Sequence, residues 1–263
     1  MRLLTMGLAY AGQYLKRQMS YRFNFIVQAI SLVAWSGVNL ALVGFLFQKV
    51  PAIQGWEFGQ VLLIYGIAHT AFGLSFMCCC NLLWLPSRYI VEGQLDRLLV
   101  RPMDPFLQLL MEEASAEDLV FSLMGVAIIT YALHELGKPF AAATVLLTML
   151  MVLSGSAVFA GIMTIASCAS FWLKDRVGLM GPMIDATEQT SRYPITIYPT
   201  WLRLLLSTIL PFAFVAFYPA QALAGRPEYA YGGYLAPLLG AGVMAVGYGV
   251  WRAGLRCYES TGS

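Results

Sequence analysis

Apolar runs of membrane-spanning length, separated by short polar breaks, organise this chain. Residues 23–47 form the first run, broken by Lys49, Pro51 and Gly55, and residues 58–85 form the second, which stops at Pro86-Ser87-Arg88. A third covers 119–133 and turns through the short loop from His134 to Pro139. A fourth covers 140–173 and ends at Lys174-Asp175-Arg176. These runs reach or approach the ~20 apolar residues a helix needs to cross a ~30 Å hydrocarbon layer. Ahead of them, Leu4, Leu8, Ala11 and Leu15 recur at helical spacing while Lys16, Arg17 and Arg22 gather at the end. That pattern predicts an amphipathic helix over 1–22 lying in the membrane interface.

The last third of the chain is less regular. Residues 177–192 are only moderately apolar and contain Asp185, Glu188 and Arg192. Tyr193-Pro194, Tyr198-Pro199 and Trp201 follow, then an apolar stretch over 202–223 broken by Pro211 and Pro219. Plain hydropathy prefers 202–223 as the fifth span. A final run over 234–251 is closed by Arg252 and Arg256. It carries a ladder of small residues, Ala241, Ala245, Gly249 and Ala253, at a spacing that lets helices approach closely and that also arises by chance in membrane helices.

Between the second and third runs lies a charged, amphipathic insert over residues 86–117. On a helical projection Val91, Leu95, Leu98 and Leu99 share one side, and Arg97 and Arg101 lie on the other. Such a helix rests its apolar side on a membrane or bundle surface and offers its arginines to a soluble partner.

Composition turns these runs into a class. The chain is 59% hydrophobic and 11% charged, against roughly 25% charged residues in a soluble domain, and its mean hydropathy is +0.69. The expectation is one all-α polytopic membrane domain over residues 1–263, without a soluble domain or a cleavable leader. Charge distribution orients it. With the N-terminus in the cytoplasm, the inside collects Arg2, Lys16, Arg17, Arg22, Arg88, Arg97, Arg101, Lys174, Arg176, Arg252 and Arg256. The outside loops keep Lys49, Lys138 and Arg226, with Arg192 and Arg203 undecided. Six spans, both termini cytoplasmic and a cytoplasmic charged insert follow.

Catalytic chemistry is not evident. There is no phosphate-binding glycine loop, no serine–histidine–acid set and no catalytic or metal-binding spacing; the five cysteines read as small polarizable packing groups. His69 sits mid-span, and Asp185 and Glu188 are the carboxylates of a plausible intramembrane stretch. Ionisable groups there are functional candidates. The plainer readings are a neutral packing histidine and a segment that never enters lipid.

Two motifs carry a resemblance. One is Gly93-x-Leu95-Asp96-x-Leu98-Leu99-x-Arg101-Pro102 after the second run. The other is Tyr193-Pro194-Ile195-x-Ile197-Tyr198-Pro199-x-x-Leu202-Arg203 with Ile209-x-Pro211-x-Ala213-Phe214 and Tyr218-Pro219-Ala220-x-x-Leu223-x-Gly225. In these, and in the order of its spans, the chain resembles ABC-2 type permeases, and more narrowly their six-span branch of unknown substrate. The resemblance implies the ABC-2 exporter fold: an N-terminal elbow helix over 1–22, a cytoplasmic coupling helix within the 86–117 loop, and an outer re-entrant hairpin over 193–225. It places the fifth span at 177–192 instead of 202–223.

It further implies that Arg88, Glu92, Asp96, Arg97 and Arg101 contribute to ATPase coupling, and that Tyr193, Tyr198, Trp201, Phe214 and Tyr218 form an outer gate. Those aromatic residues equally suit ordinary interfacial anchoring. The implied partners are two copies of an ABC ATPase subunit, a second permease copy and membrane lipid, with no nucleic acid. ATP and Mg would be bound by the ATPase subunits, this chain holding no cofactor. The expected function is an export permease for an amphipathic or hydrophobic substrate, lipid or polymer, in the inner (cytoplasmic) membrane. The alternatives are an ion-gradient-driven transporter using Asp185, Glu188 or His69 as relay groups, and a membrane scaffold recruiting a soluble partner.

Overall fold

A computed structural model describes residues 22–112, 117–173 and 180–259. The N-terminal amphipathic helix expected over 1–22 lies almost wholly outside them. Among the described residues, five helical segments are long and apolar enough to cross a membrane: Phe25–Lys49, Phe58–Val91, Glu117–Glu135, Ala142–Leu173 and Pro227–Cys257. Among the described residues the only β pairing is the single bridge between Ile53 and Trp56 in the loop after the first span.

Helix α1 (Arg22–Lys49) stands largely outside the bundle, with about a tenth of its apolar window buried (11%). Helix α2 (Phe58–Cys79) is the opposite case: it is buried along nearly its whole length, from Gly59 through Gly73. A helix apolar on every side is what a bundle centre requires. Beyond Cys79 the same segment tightens into a 3-10 turn (Cys80–Trp84) and then widens into a π-helix (Leu85–Val91). Pro86 lies at the π-helix start, where a missing N–H costs least, and Glu92 N bonds to Ser87 O at 3.1 Å, five residues back. The charged segment then folds into two short helices, α3 (Leu95–Leu99) and α4 (Pro105–Glu112).

Helices α5 (Glu117–Glu135) and α6 (Ala142–Cys168) complete the centre, and α7 (Ser170–Leu173) extends α6 by one turn. The two most extensive helix pairings are α2 with α5 and α6 with the last helix, α11 (Pro227–Cys257). Both are glycine seams. A Cβ at Gly125 of α5 would come within 2.3 Å of Thr70 Oγ1 on α2, and one at Gly73 of α2 within 2.3 Å of Ser122 Oγ on α5. On α11, Gly233, Gly240, Gly247 and Gly254 recur every seventh residue and all are buried. Cβ atoms at Gly240 and Gly247 would meet Ser154 O at 2.8 Å and Thr164 at 3.2 Å on α6, while those at Gly254 and Gly233 would meet the Phe171 ring of α7 at 2.2 Å and Tyr218 O at 2.5 Å. In lipid, where tails are as apolar as the side chains, such close backbone approach drives association.

The ladder Ala241, Ala245, Gly249 and Ala253 faces the other way. All four residues are exposed, and Gly249 has nothing within 4 Å of its notional Cβ. That ladder does not pack against the other described residues.

Among the described residues between α7 and α11, no helix is long and apolar enough to cross a membrane. Helix α8 (Met180–Ser191) has 12 residues, about 18 Å at 1.5 Å per residue. It lies in the segment expected as the fifth span, whose first residues, 177–179, fall outside the described ones. The stretch over 202–223 favoured by hydropathy is not one helix. It holds most of α9 (Thr200–Thr208), a 3-10 turn (Pro211–Phe214) and α10 (Phe217–Ala224). Proline sets the break: Leu210, just before Pro211, is extended at φ −111° and ψ 91°, because the pyrrolidine ring disfavours helical geometry in the residue preceding it.

Side-chain hydroxyls cross between elements at each level. Ser75 donates to Ser156 O (2.9 Å), joining α2 to α6, and Ser191 donates to Phe212 O (3.1 Å), joining α8 to the broken segment. Bonds of this kind average only ~0.6 kcal/mol in membrane proteins, so they set register more than stability.

Candidate functional site

Three polar regions stand out, one at each end of the bundle and one inside it. At the end where α2 stops, the charged segment is fastened from several sides. Leu95 and Leu98 of α3 are fully buried, as is Leu109 of α4. Gly93 makes the approach possible: it is buried at φ +73°, a left-handed conformation that favours glycine. Gln108 Nε2 donates to Leu98 O (3.0 Å) and Met103 O (2.8 Å), tying α4 back to α3. Asn81 Nδ2 donates to Leu109 O (2.9 Å), and Ser167 Oγ to Leu82 O (2.6 Å).

Helix α11 adds its own fastening. Asp104 caps α4, one carboxylate oxygen accepting from Phe106 N (2.9 Å) and Leu107 N (3.1 Å). Its other oxygen accepts from Tyr248 Oη of α11 (2.7 Å). Phe106 packs on Tyr248 and Trp251, ring centroids 5.6 and 5.3 Å apart. Past the end of α11, burial and then the neighbouring Asp96 carboxylate push the Tyr258 phenol up to about 12.

The outer edge of this segment differs from the amphipathic projection. Val91 belongs to the π-helix, not to α3, so it leaves the apolar side shared by Leu95 and Leu98. Val91 and Leu99 are exposed, and Val100 is 83% exposed. Arg97 forms an ion pair with Glu112 of α4, which also accepts from Tyr89 Oη (2.7 Å). Arg88 Nε donates to Gln94 Oε1 (3.1 Å), and Gln94 Nε2 to Glu92 Oε2 (3.1 Å). The structure therefore links Arg88 to Glu92 through Gln94 and Arg97 to Tyr89 through Glu112. It sets Asp96 near Tyr258 and leaves Arg101 exposed, with Val91 and Leu99, which the sequence projection had turned inward, exposed as well.

The opposite end gathers an aromatic cluster around Trp56. Its indole donates to Thr196 Oγ1 (2.6 Å) and its ring meets Phe217 at 5.5 Å. Arg226 lies over it at 4.2 Å and donates to Gly55 O (2.6 Å) and Gln60 Oε1 (2.8 Å). Phe214 and Tyr218 stack at 4.5 Å, and Tyr218 Oη meets Ser207 Oγ at 3.1 Å. Tyr193 and Tyr198 are part-buried nearby, whereas Trp201 is 68% exposed. Trp56 and Phe217 are the central residues, and Trp56 was missed because it stands alone in a short loop.

Inside the bundle, His69 is fully buried, its ring between Tyr65 (5.5 Å) and Phe121 (3.6 Å). Its Nε2 bonds with Ser36 Oγ of α1 at 3.1 Å. Arg192, following α8, places its guanidinium 5.5 Å from the Tyr65 ring and pairs with Glu188 one turn back. Asp185 is exposed and stands apart from this group. Of the three intramembrane candidates, His69 and Glu188 thus join one network through Tyr65 and Arg192; Asp185 does not. No group of three or more metal-ligating side chains occurs among the described residues.

Comparison with known proteins places this architecture. No curated protein and no solved structure matches the chain. The family model for ABC-2 family transporter proteins matches residues 19–262, nearly the whole length. The chain belongs to that family, and is a multi-pass membrane transporter protein of the permease type.

Proposed function

We propose that this chain is the membrane-spanning subunit of an ATP-driven ABC exporter. Two permease copies, identical or paralogous, pair in the membrane, and two separate ATPase subunits, which bind ATP and Mg, dock at the cytoplasmic end. Both termini lie in the cytoplasm, and the membrane is the inner (cytoplasmic) one. Cargo is amphipathic or hydrophobic and moves between the two copies, with the segment over 193–225 as a hairpin gate on the outer side.

The observation that carries this reading is the two-sided build of the segment between α2 and α5. Its inner side, Leu95, Leu98, Phe106 and Leu109, is locked into the bundle, while its outer side presents Leu99 and Val100 beside Arg97 and Arg101. Apolar residues ringed by cations at a membrane end suit a soluble partner with an acidic cleft. The inner lock carries any displacement of that edge to the 3-10 turn that continues α2 through Asn81 and to α11 through Tyr248.

A photo-activatable cross-linker at Val100 tests the docking surface. In native membranes it is expected to capture a polypeptide that binds ATP. The same group at Leu238, equally exposed at 72% but within α11, is expected not to. Capture from Leu238 alone, or from neither, rejects the surface.

A further inference from the structure

The network around Arg192 has more hydrogen-bond capacity than the described residues use. Arg192 is 7% exposed, Tyr65 1% and His69 fully buried. Among the described residues, Arg192 Nε, Tyr65 Oη and His69 Nδ1 nevertheless have no hydrogen-bond partner. Unpaired polar atoms are expensive in a protein interior and more so at membrane depth. Arginine cannot relieve the cost by losing its proton, and its Nε–H only donates. The carboxylate nearest to it, Glu188, already bonds to the guanidinium, and its side chain is 26% exposed. A buried cation with a spare donor thus stands behind a carboxylate that opens outward.

We propose that Arg192 and Tyr65 bind the anionic headgroup, phosphate or carboxylate, of an amphipathic molecule, which takes the place of Glu188 on the guanidinium. The exposed side of Glu188 lets the displaced carboxylate swing away, and planar guanidinium donors pair two-pronged with such oxyanions. This deepens the permease reading by naming a cargo class: amphiphiles with an acidic head.

The exchange makes opposite predictions for two variants that break the same ion pair. Binding of dodecyl phosphate and of laurate to the full chain in neutral detergent is measured beside inorganic phosphate and dodecyltrimethylammonium. Arg192→Gln is expected to weaken binding of both anionic amphiphiles at least tenfold, and Glu188→Gln to strengthen it severalfold. The ammonium amphiphile should not distinguish the variants. Tyr65→Phe keeps the ring and removes the spare hydroxyl, and is expected to lose severalfold. It serves as the deciding variant if Arg192→Gln does not fold. The site is rejected if the two ion-pair variants shift binding in the same direction, if the anionic amphiphiles bind no better than the ammonium one, or if Tyr65→Phe and Arg192→Gln bind as wild type. Inorganic phosphate binding as tightly as dodecyl phosphate rejects an amphiphile in favour of a free anion. No ATPase subunit takes part, so failure here leaves the ATP-driven reading standing, and the converse also holds.

Discussion

Charge reversal at Arg97 acts on two contacts at once: the ion pair with Glu112 and the outer edge it shares with Arg101. The internal pair is part-exposed and worth little, about 0–1 kcal/mol, whereas breaking a desolvated charge contact at an interface costs ~2–5 kcal/mol. Arg97→Glu with Arg101→Glu is therefore expected to insert normally and to lose most ATPase association in co-purification. Adding Glu112→Arg should restore the internal pair without restoring association. Full recovery in the triple variant would assign the effect to the internal pair. Tyr258 gives a complementary expectation. Its pKa is raised above the ordinary value by burial and then Asp96, so the neutral phenol is the favoured form. Its stabilising share is complete below pH ~10, the ordinary tyrosine value, and falls away as pH rises towards about 12. Tyr258→Phe and wild type should accordingly unfold with the same pH dependence between pH 6 and 9. A difference inside that window would contradict this placement of the phenol.

At the scale of helices, the seams are the testable feature. Gly125→Val must push Thr70 backbone and hydroxyl aside from contacts of 2.3–3.0 Å, and overpacking of this kind costs typically 1–3 kcal/mol. Gly249→Val meets nothing within 4 Å and should leave the thermal midpoint of the single chain nearly unchanged. Equal loss in both would refute the assignment of which glycines pack. The long helices were legible in the sequence because a run of apolar residues has few other uses. The seams were not. The ladder noted at i, i+4 faces outward, and the packing glycines of α11 repeat every seventh residue, a spacing diluted by the many other glycines of that helix. The segment over 177–223 was ambiguous for a physical reason. Its hydropathy suits one span at 202–223, but Pro211 extends Leu210 and divides it, while the moderately polar stretch before it forms the short α8. Val91 was assigned inward because a projection assumes one helix, and the π-helix after Pro86 changes the phase, whereas Leu99 is the last residue of the short α3.

For the whole molecule, alternating helix directions put Lys138 and Arg226 at one end and Arg97 and Arg256 at the other. Gly225 lies against Lys138, and the Asp104 cap lies against Tyr248 near the far end of α11. In the proposed orientation, drawn from basic-residue asymmetry, the first end faces outside. In a chain without native cysteines, Lys138→Cys and Arg226→Cys should react with a membrane-impermeant thiol reagent in sealed cells, and Arg97→Cys and Arg256→Cys should not. Reaction at Arg97→Cys from outside would invert the orientation. The central claim, that a separate ATP-binding subunit drives this permease, is tested most directly by isolating the tagged chain from its native membrane in mild detergent and measuring ATP hydrolysis in the purified complex. A co-purifying ATPase subunit is expected in equal number to the permease, with hydrolysis lost from the preparation when Arg97 and Arg101 are reversed. A chain that purifies without any ATP-hydrolysing partner, yet moves an amphiphile in vesicles without ATP, would contradict that claim.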